Sequence, residues 1–301
     1  MYQAKPNNPT LAALLIGIAT AFIAATTLFA KALGTDQFGP VMHPIQIVFG
    51  RFLFAFLSFS IAVIILQPQL QRPHFGLHLI RTLGGWAGLV LMFASVAYIP
   101  LADATAISFL NPVFGMIFAI PLLGERVGKW RWLAAGIALT GAMILLRPTP
   151  TSFQPAALLA LGAAFILGFE LNIIKKLTQR ESPFSILFVN NTIGLCIGGL
   201  AVIFVWEPPT VAQWGLMAAI GCAMAVAQTC FVNAMARADA SFVAPFSYGT
   251  LIFAAIYDVI FYDVVPDFIT IIGACVIING ALLLAWREGR RRISLSGEQD
   301  L

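Results

Sequence analysis

The sequence predicts an all-α polytopic membrane protein, with ten transmembrane helices arranged as two inverted five-helix repeats. Three observations carry that prediction. The 301 residues are 60% hydrophobic and 10% charged, with a mean hydropathy of +0.91, whereas a soluble domain carries about 25% charged residues. The apolar residues come in runs of roughly twenty, the length that crosses about 30 Å of hydrocarbon as a helix. Strands of a membrane barrel would instead be about ten residues of alternating pattern. The two halves also resemble each other. "LADATAISF" meets "RADASFVAPF", aligning Asp103 with Asp239, and "GIALTGAMILL" at 136–146 meets "GACVIINGALLL" at 273–284. Five is odd, so the second unit is inverted relative to the first, a signature of transporters with a site between the halves.

Runs bounded by Gly, Pro and charge place the first unit, 11–147, as spans at 11–33, 43–66, 79–98, 102–123 and 130–147. The first run is too long for a signal-peptide core and is expected to be retained; Lys31 lies near its outer end, where it can snorkel or pair with Asp36. Span 2 carries Arg51 as its ninth residue, about 12 Å along at 1.5 Å per residue. Span 3 opens at Arg81 and contains Gly84-xxx-Gly88. Span 4 runs from Asp103 to Glu125 and holds Asn111-Pro112 and Pro121, an amide and two helix breakers inside an apolar stretch.

The second unit, 155–286, has spans at 155–174, 184–206, 211–235, 241–262 and 266–286, and 287–301 is left as a polar cytoplasmic tail. Span 6 carries Asn172 and, near its cytoplasmic end beside Lys175 and Lys176, Glu170. Asn190 and Asn191 lie on span 7, Gln228 and Asn233 on span 8, and Pro245 and Asp258 on span 9. The connections are too short for an extramembrane domain.

Charge settles the orientation. With the N-terminus in the cytoplasm, 14 of the 17 Lys and Arg residues fall on the inner side, while Asp36, Asp103, Glu207, Asp263 and Asp267 lie outside. The same rule explains the net charge of +4 and pI near 9.0 without nucleic acid as a partner. An odd span count would scramble this alternation. The expected location is a bacterial inner membrane, with both termini cytoplasmic.

A charge at the bilayer centre costs about 2.5–3.5 kcal/mol, so depth decides which polar residues need a function. Arg51 is the one charge placed deep by the sequence, and is expected to face a cavity and hold a carboxylate or ring carbonyl of a substrate. Asn111, Asn190 and Gln228 are expected to orient that substrate; Trp86 and Tyr248, each with a polar handle that needs a partner when buried, to stack on it. Lys31 completes the substrate-binding candidates. Glu170, Asp258 and Arg81 are candidates for coupling or gating. One amide alone would be satisfied by interhelical hydrogen bonding; the whole set on facing helices favours a shared cavity.

Other function classes find no footing. Cys196, Cys222, Cys230 and Cys275 sit in apolar runs without paired spacing, as packing residues. His43, His74 and His78 have no metal-ligand spacing opposite a carboxylate, and no phosphate-cradling Gly-rich loop precedes a Lys-Ser/Thr. No metal, cofactor or catalytic constellation is expected, which leaves a membrane-embedded enzyme as the alternative outside transport.

The chain resembles the EamA group of the drug/metabolite transporter superfamily over essentially its whole length. The resemblance is carried by Lys31, "RFLFA" at 51–55, Arg81 with the glycines after it, and "YIPLADATAISFLNPVF" followed by "LLGER" at 122–126. It departs where "FYDVVPD" stands in place of a second Gly-Glu. The resemblance implies ten helices in two inverted repeats, a cavity lined by helices 1–4 and 6–9, and alternating access. Members move amino acids, nucleosides, sugars, flavins, S-adenosylmethionine and other metabolites. The substrate is therefore expected to be a small polar organic metabolite. Import of a riboflavin- or S-adenosylmethionine-like compound and export of an amino acid or metabolite stand as alternatives. Protons as coupling ion and a homodimer are left open.

Overall fold

The computed structural model describes residues 6–34, 36–68, 72–96, 98, 104, 107–146, 155, 157–263 and 267–297. Helix α1 (Pro9–Leu33) opens with Asn8 accepting from the Leu11 N–H, and α2 (Pro44–Leu66) follows a cap by His43. Proline at the first positions of both suits the helix start, where its missing N–H costs nothing. Then come α3 (Phe75–Val96), α4 (Asn111–Leu123), α5 (Lys129–Leu146), α6 (Ala157–Thr178), α7 (Pro183–Val202) and α8 (Val211–Met235). The start of α8 is a reciprocal capping box between Thr210 and Gln213. A short α9 (Ala240–Val243) passes through a 3-10 segment, Ala244–Tyr248, into α10 (Gly249–Tyr262), and α11 (Phe268–Gly297) ends the described chain.

The described residues are all-helical apart from turns and connections. Seven helices among them are long and apolar enough to cross a membrane, and Asn111–Leu123 and Ile271–Leu284 are shorter apolar helices. Several helix ends differ from the expected span ends. Helix α3 begins four residues before the expected start of span 3, and α6 ends four residues after the expected end of span 6. Helix α11 likewise continues through Gly297, past the expected span end at 286. Asp103, Arg147 and Lys5 lie outside the described residues.

Span 4 is not continuous into Asn111. Phe109 and Leu110 form a turn, and Asn111 opens α4 with Pro112 directly behind it. A second break is the 3-10 segment around Pro245, between α9 and α10. The two breaks touch. Tyr248 stacks on Phe109 with centroids 5.6 Å apart, and its hydroxyl donates to the Phe109 carbonyl at 2.7 Å. A carbonyl freed by a helix break thus finds a protein donor.

Helix packing follows the glycines. A Cβ on Gly168 of α6 would lie 2.6 Å from the Phe114 Cβ and 2.8 Å from the Asn111 carbonyl oxygen, so α4 and α6 meet backbone to backbone. Asn172 reinforces that seam by donating to the carbonyls of Gly115 and Gly168, both at 3.0 Å. Gly194 of α7 receives the Phe52 ring, and Gly221 of α8 receives the backbone at Phe54 and Ala55, which wedges α2 between α7 and α8. Gly141 of α5 and Gly280 of α11 face each other's helix; these are glycines of the two matching sequence segments.

Candidate functional site

A cavity of about 230 Å³ lies among α1, α3, α4, α6 and α8. Ile23, Leu167, Met224 and Phe231 give it apolar walls; Arg81, Asn111, Glu170 and Gln228 give it polar ones. Three of its helices come from the first half of the chain and two from the second.

Arg81 and Glu170 are placed differently from the expectation. Because α3 starts at Phe75, Arg81 is its seventh residue and not the first of a span at the surface. Because α6 runs on to Thr178, Glu170 lies two turns before the helix end. Lys175 donates to the Met235 carbonyl at 2.8 Å and to that of Ala238. The Arg81 side chain is only 4% exposed, and its Nε stands 3.7 Å from Glu170 Oε1, an ion pair longer than a hydrogen bond. Gly85, one turn after Arg81, leaves room for the carboxylate: a Cβ there would come within 3.3 Å of Glu170 Oε2. Arg51 of α2 lies near both, with its guanidinium over the Phe52 ring at 4.6 Å, but contrary to expectation it is not among the residues that line the cavity. Arg51, Arg81 and Glu170 thus lie close together, where the sequence had placed only Arg51 well inside a span.

Gln228 lines the cavity, with its Oε1 accepting from Asn191 Nδ2 at 2.9 Å. Asn111 lines it from the first residue of α4. Asn190 lies behind the wall, its Oδ1 3.2 Å from the Thr82 hydroxyl. Trp86 stacks on Phe52 with centroids 6.3 Å apart and interplanar angle 13°, and its indole meets Gly198 of α7. Its Nε1 is buried without a hydrogen-bond partner among the described residues. Tyr248 is fully buried, with its hydroxyl engaged at Phe109, and does not line the cavity. Lys31 lines a separate space of about 90 Å³ with Thr27 and Tyr257. The side chain of Asp258 lies outside the described residues.

One end of the bundle is laced by groups that the sequence did not bring together. Glu125, just after α4, accepts from the N–H groups of Ala240 and Ser241 at the start of α9, and from the Ser241 hydroxyl. A carboxylate there also complements the positive end of the helix dipole. Arg131 of α5 reaches Asp239 and Ser241 at 2.8 and 2.7 Å. Beside them, the buried Glu181 carboxylate takes His74 Nδ1 at 2.8 Å and His78 Nε2 at 2.9 Å, with the His74 backbone N–H donating as well. Glu181 is more than a hundred residues from His74 and His78 in sequence, so their spacing gave no sign of this carboxylate. Among the described residues no group of three or more side chains could hold a metal ion.

The model of the EamA-like transporter family matches residues 10–147 and again 154–286. A riboflavin transporter of Vibrio cholerae is 29% identical over 250 residues, covering 79% of this chain and 84% of that protein. An S-adenosylmethionine uptake transporter of Rickettsia bellii is 26% identical, covering 93% and 97%. A pseudopaline exporter of Pseudomonas aeruginosa is 26% identical, covering 89% and 95%. One protein of known crystal structure has the same fold, with a TM-score of 0.76 at 21% identity, covering 91% of this chain and 98% of that one. Apolar helices, a cavity between the halves and a family match in each half lead to one assignment: the chain belongs to the EamA-like transporter family.

Proposed function

We propose that the chain is a secondary transporter carrying a small polar organic metabolite through the cavity between α3, α4, α6 and α8 by alternating access. The observation that carries this is the cavity itself, with Arg81, Glu170, Asn111 and Gln228 converging at membrane depth between the two halves. Charged groups are retained there only where they do something, since lipid-facing positions would exclude them.

The pairing of helices supports two inverted five-helix repeats, with α9 and α10 together forming the ninth span. Helix α1 packs on α8 as α3 packs on α6, α4 packs on α6 as α10 packs on α1, and α2–α7 and α5–α11 pack as partners. When the first repeat is exchanged for the second, the first four pairings interchange in two pairs, and α2–α7 and α5–α11 map onto themselves. The broken spans 4 and 9 suit helices that rock about a site near the midplane.

The laced end of the bundle carries Arg126, Lys129, Arg131, Lys175, Lys176, Arg180 and Arg237 at its helix ends and connections. We assign it to the cytoplasm by the positive-inside rule, in a bacterial inner membrane with both termini cytoplasmic. Arg81 is the cation that holds substrate, backed by Arg51 behind the lining; Asn111 and Gln228 orient it, and Glu170 is the carboxylate that a coupling proton would reach. Trp86 shapes the wall behind Arg81. Lys31, Asn190 and Tyr248 support the helices around the cavity.

The named relatives favour a second reading, import of a riboflavin- or S-adenosylmethionine-like compound. The cavity of about 230 Å³ favours a compact metabolite, because pockets for larger ligands run from about 300 Å³ upward. Flux into proteoliposomes of the purified chain, across amino acids, organic acids, riboflavin and S-adenosylmethionine, tests the proposal. Uptake of at least one, lost in Arg81→Gln, supports it; no flux of any member by a monodisperse, correctly inserted protein overturns it.

A further inference from the structure

The charges that reach the cavity do not cancel. Arg81 and Glu170 line it, and Arg51 acts on both from α2. The elements packed around them add little to this count. Helix α4 has no titratable side chain, α7 offers Cys196, and α8 offers Cys222 and Cys230. Lys31 on α1 borders the separate space beside Tyr257, and Lys175 on α6 is spent on two carbonyls. With Glu170 ionised, one carboxylate stands beside the Arg81 guanidinium and near that of Arg51 behind the lining.

The donors are in surplus too. Nε and Nη1 of Arg81 and Nε of Arg51 are buried without hydrogen-bond partners among the described residues, as is the Trp86 Nε1. The 3.7 Å approach of Glu170 leaves the Arg81 fork unclosed. A buried guanidinium with open donors is costly, and the geometry that best relieves it is a carboxylate or phosphate bound side-on by two parallel N–H groups.

We infer that the cavity selects an organic monoanion, whose carboxylate or singly charged phosphodiester closes the Arg81 fork, and that Glu170 is the residue that turns dianions away. This rests on the cavity being the transport site. In its ionised form Glu170 sets a negative charge in the lining beside Arg81, so a dianion meets repulsion as well as attraction. Specificity of this kind needs the repulsive element as much as the attractive one. Asn111 and Gln228 are then left to read the neutral polar groups of the same molecule.

The test uses the purified full chain and matched probes: lactate and benzoate as monoanions, malate and phthalate as dianions, lactamide and benzamide as neutral analogues. Binding is read from the concentration dependence of thermal stabilisation. Wild-type protein is expected to respond to a monoanion about tenfold or more better than to its dianion or amide partner, a 1.4 kcal/mol difference. In Glu170→Gln that order between monoanion and dianion narrows or reverses. Arg81→Gln and Arg51→Gln lose the monoanion response. Should Arg81→Gln fail to elute as a monodisperse species, Arg81→Lys keeps the charge without the fork, and is expected to weaken monoanion binding while still excluding dianions.

Equal responses to acid and amide overturn the inference, as does an unchanged monoanion-to-dianion ratio in Glu170→Gln or no response to any probe. The outcome is separable from that of the transport reading. Flux of a neutral metabolite, indifferent to all three charges, leaves transport standing and removes the monoanion. Monoanion binding with no flux of any solute does the reverse.

Discussion

Glu125 and Ser241 are joined twice across the two halves of the chain, through the serine's N–H and its hydroxyl, both donating to one carboxylate oxygen. The other oxygen accepts from Ala240 N–H at 2.8 Å. One carboxylate after α4 therefore caps the helix that opens the ninth span, and Arg131 ties the adjacent Asp239. These contacts tie the two halves of the chain together at this end of the bundle.

Glu125→Gln should loosen that end. Hydrogen bonds to a charged group are worth about 1.5–3 kcal/mol each, and the amide can accept at only one of its two former oxygens. The expected outcome is a several-fold rise in labelling of a cysteine placed at Ile174, on the cavity wall, by a reagent added from the Glu125 side. Unchanged labelling would show that this contact does not hold the end closed.

The Glu181 cluster predicts an acid-labile element. Burial raises the carboxyl, but hydrogen bonds from His78, the His74 N–H and the His74 ring outweigh it, so Glu181 stays below its ordinary 4.5. A carboxyl depressed in the folded state contributes stability above its unfolded value, and that contribution is lost as pH falls through the folded one. The melting temperature should accordingly drop as pH is lowered from about 4.5. Glu181→Gln should melt lower at pH 7 and show a shallower acid slope; parallel curves for the two proteins would refute the assignment.

Glycine positions give a signed pair. Gly168→Ala forces a methyl to 2.8 Å from the Asn111 carbonyl and 2.9 Å from the Gly115 nitrogen, neither of which can rotate away. It should destabilise by about 1–3 kcal/mol through overpacking, and narrow the cavity because α4 and α6 both line it. Gly17→Ala on α1 meets nothing within 4 Å, and should stabilise by about 0.4–1 kcal/mol by restricting the unfolded chain. Melting temperatures of the two variants, moving in opposite directions, check the pair.

Tyr248→Phe separates support from binding. The ring would keep its stacking on Phe109, but the Phe109 carbonyl would lose its 2.7 Å donor, for a cost of about 1–3 kcal/mol. A lowered melting temperature with substrate affinity unchanged is the expected result. A large affinity loss at constant stability would return Tyr248 to the binding site.

The membrane class and the helices were legible in the sequence because they follow from composition and from the length of the apolar runs. Arg81 and Glu170 were misplaced for one reason: hydropathy blurs a helix end by about a turn, and four residues at Phe75 and at Thr178 move a charge from the interface into the interior. The glycines near Arg81 carried a usable signal, since Gly85 is where the Glu170 carboxylate rests. His74, His78 and Glu181 could not be paired from spacing, because a loop more than a hundred residues away supplies the acceptor. The 3-10 passage at Ala244–Tyr248 was announced by Pro245, but its meeting with the Phe109 turn is a tertiary fact.

That meeting bears on how the protein is made. Chains fold from the N-terminus as they are synthesised, so the turn before α4 enters the bilayer long before Tyr248 exists. Until then the Phe109 carbonyl has water, lipid headgroup or nothing to accept from. The first five helices thus wait in a provisional arrangement, and the arrival of one phenol from the second set completes a joint begun by the first.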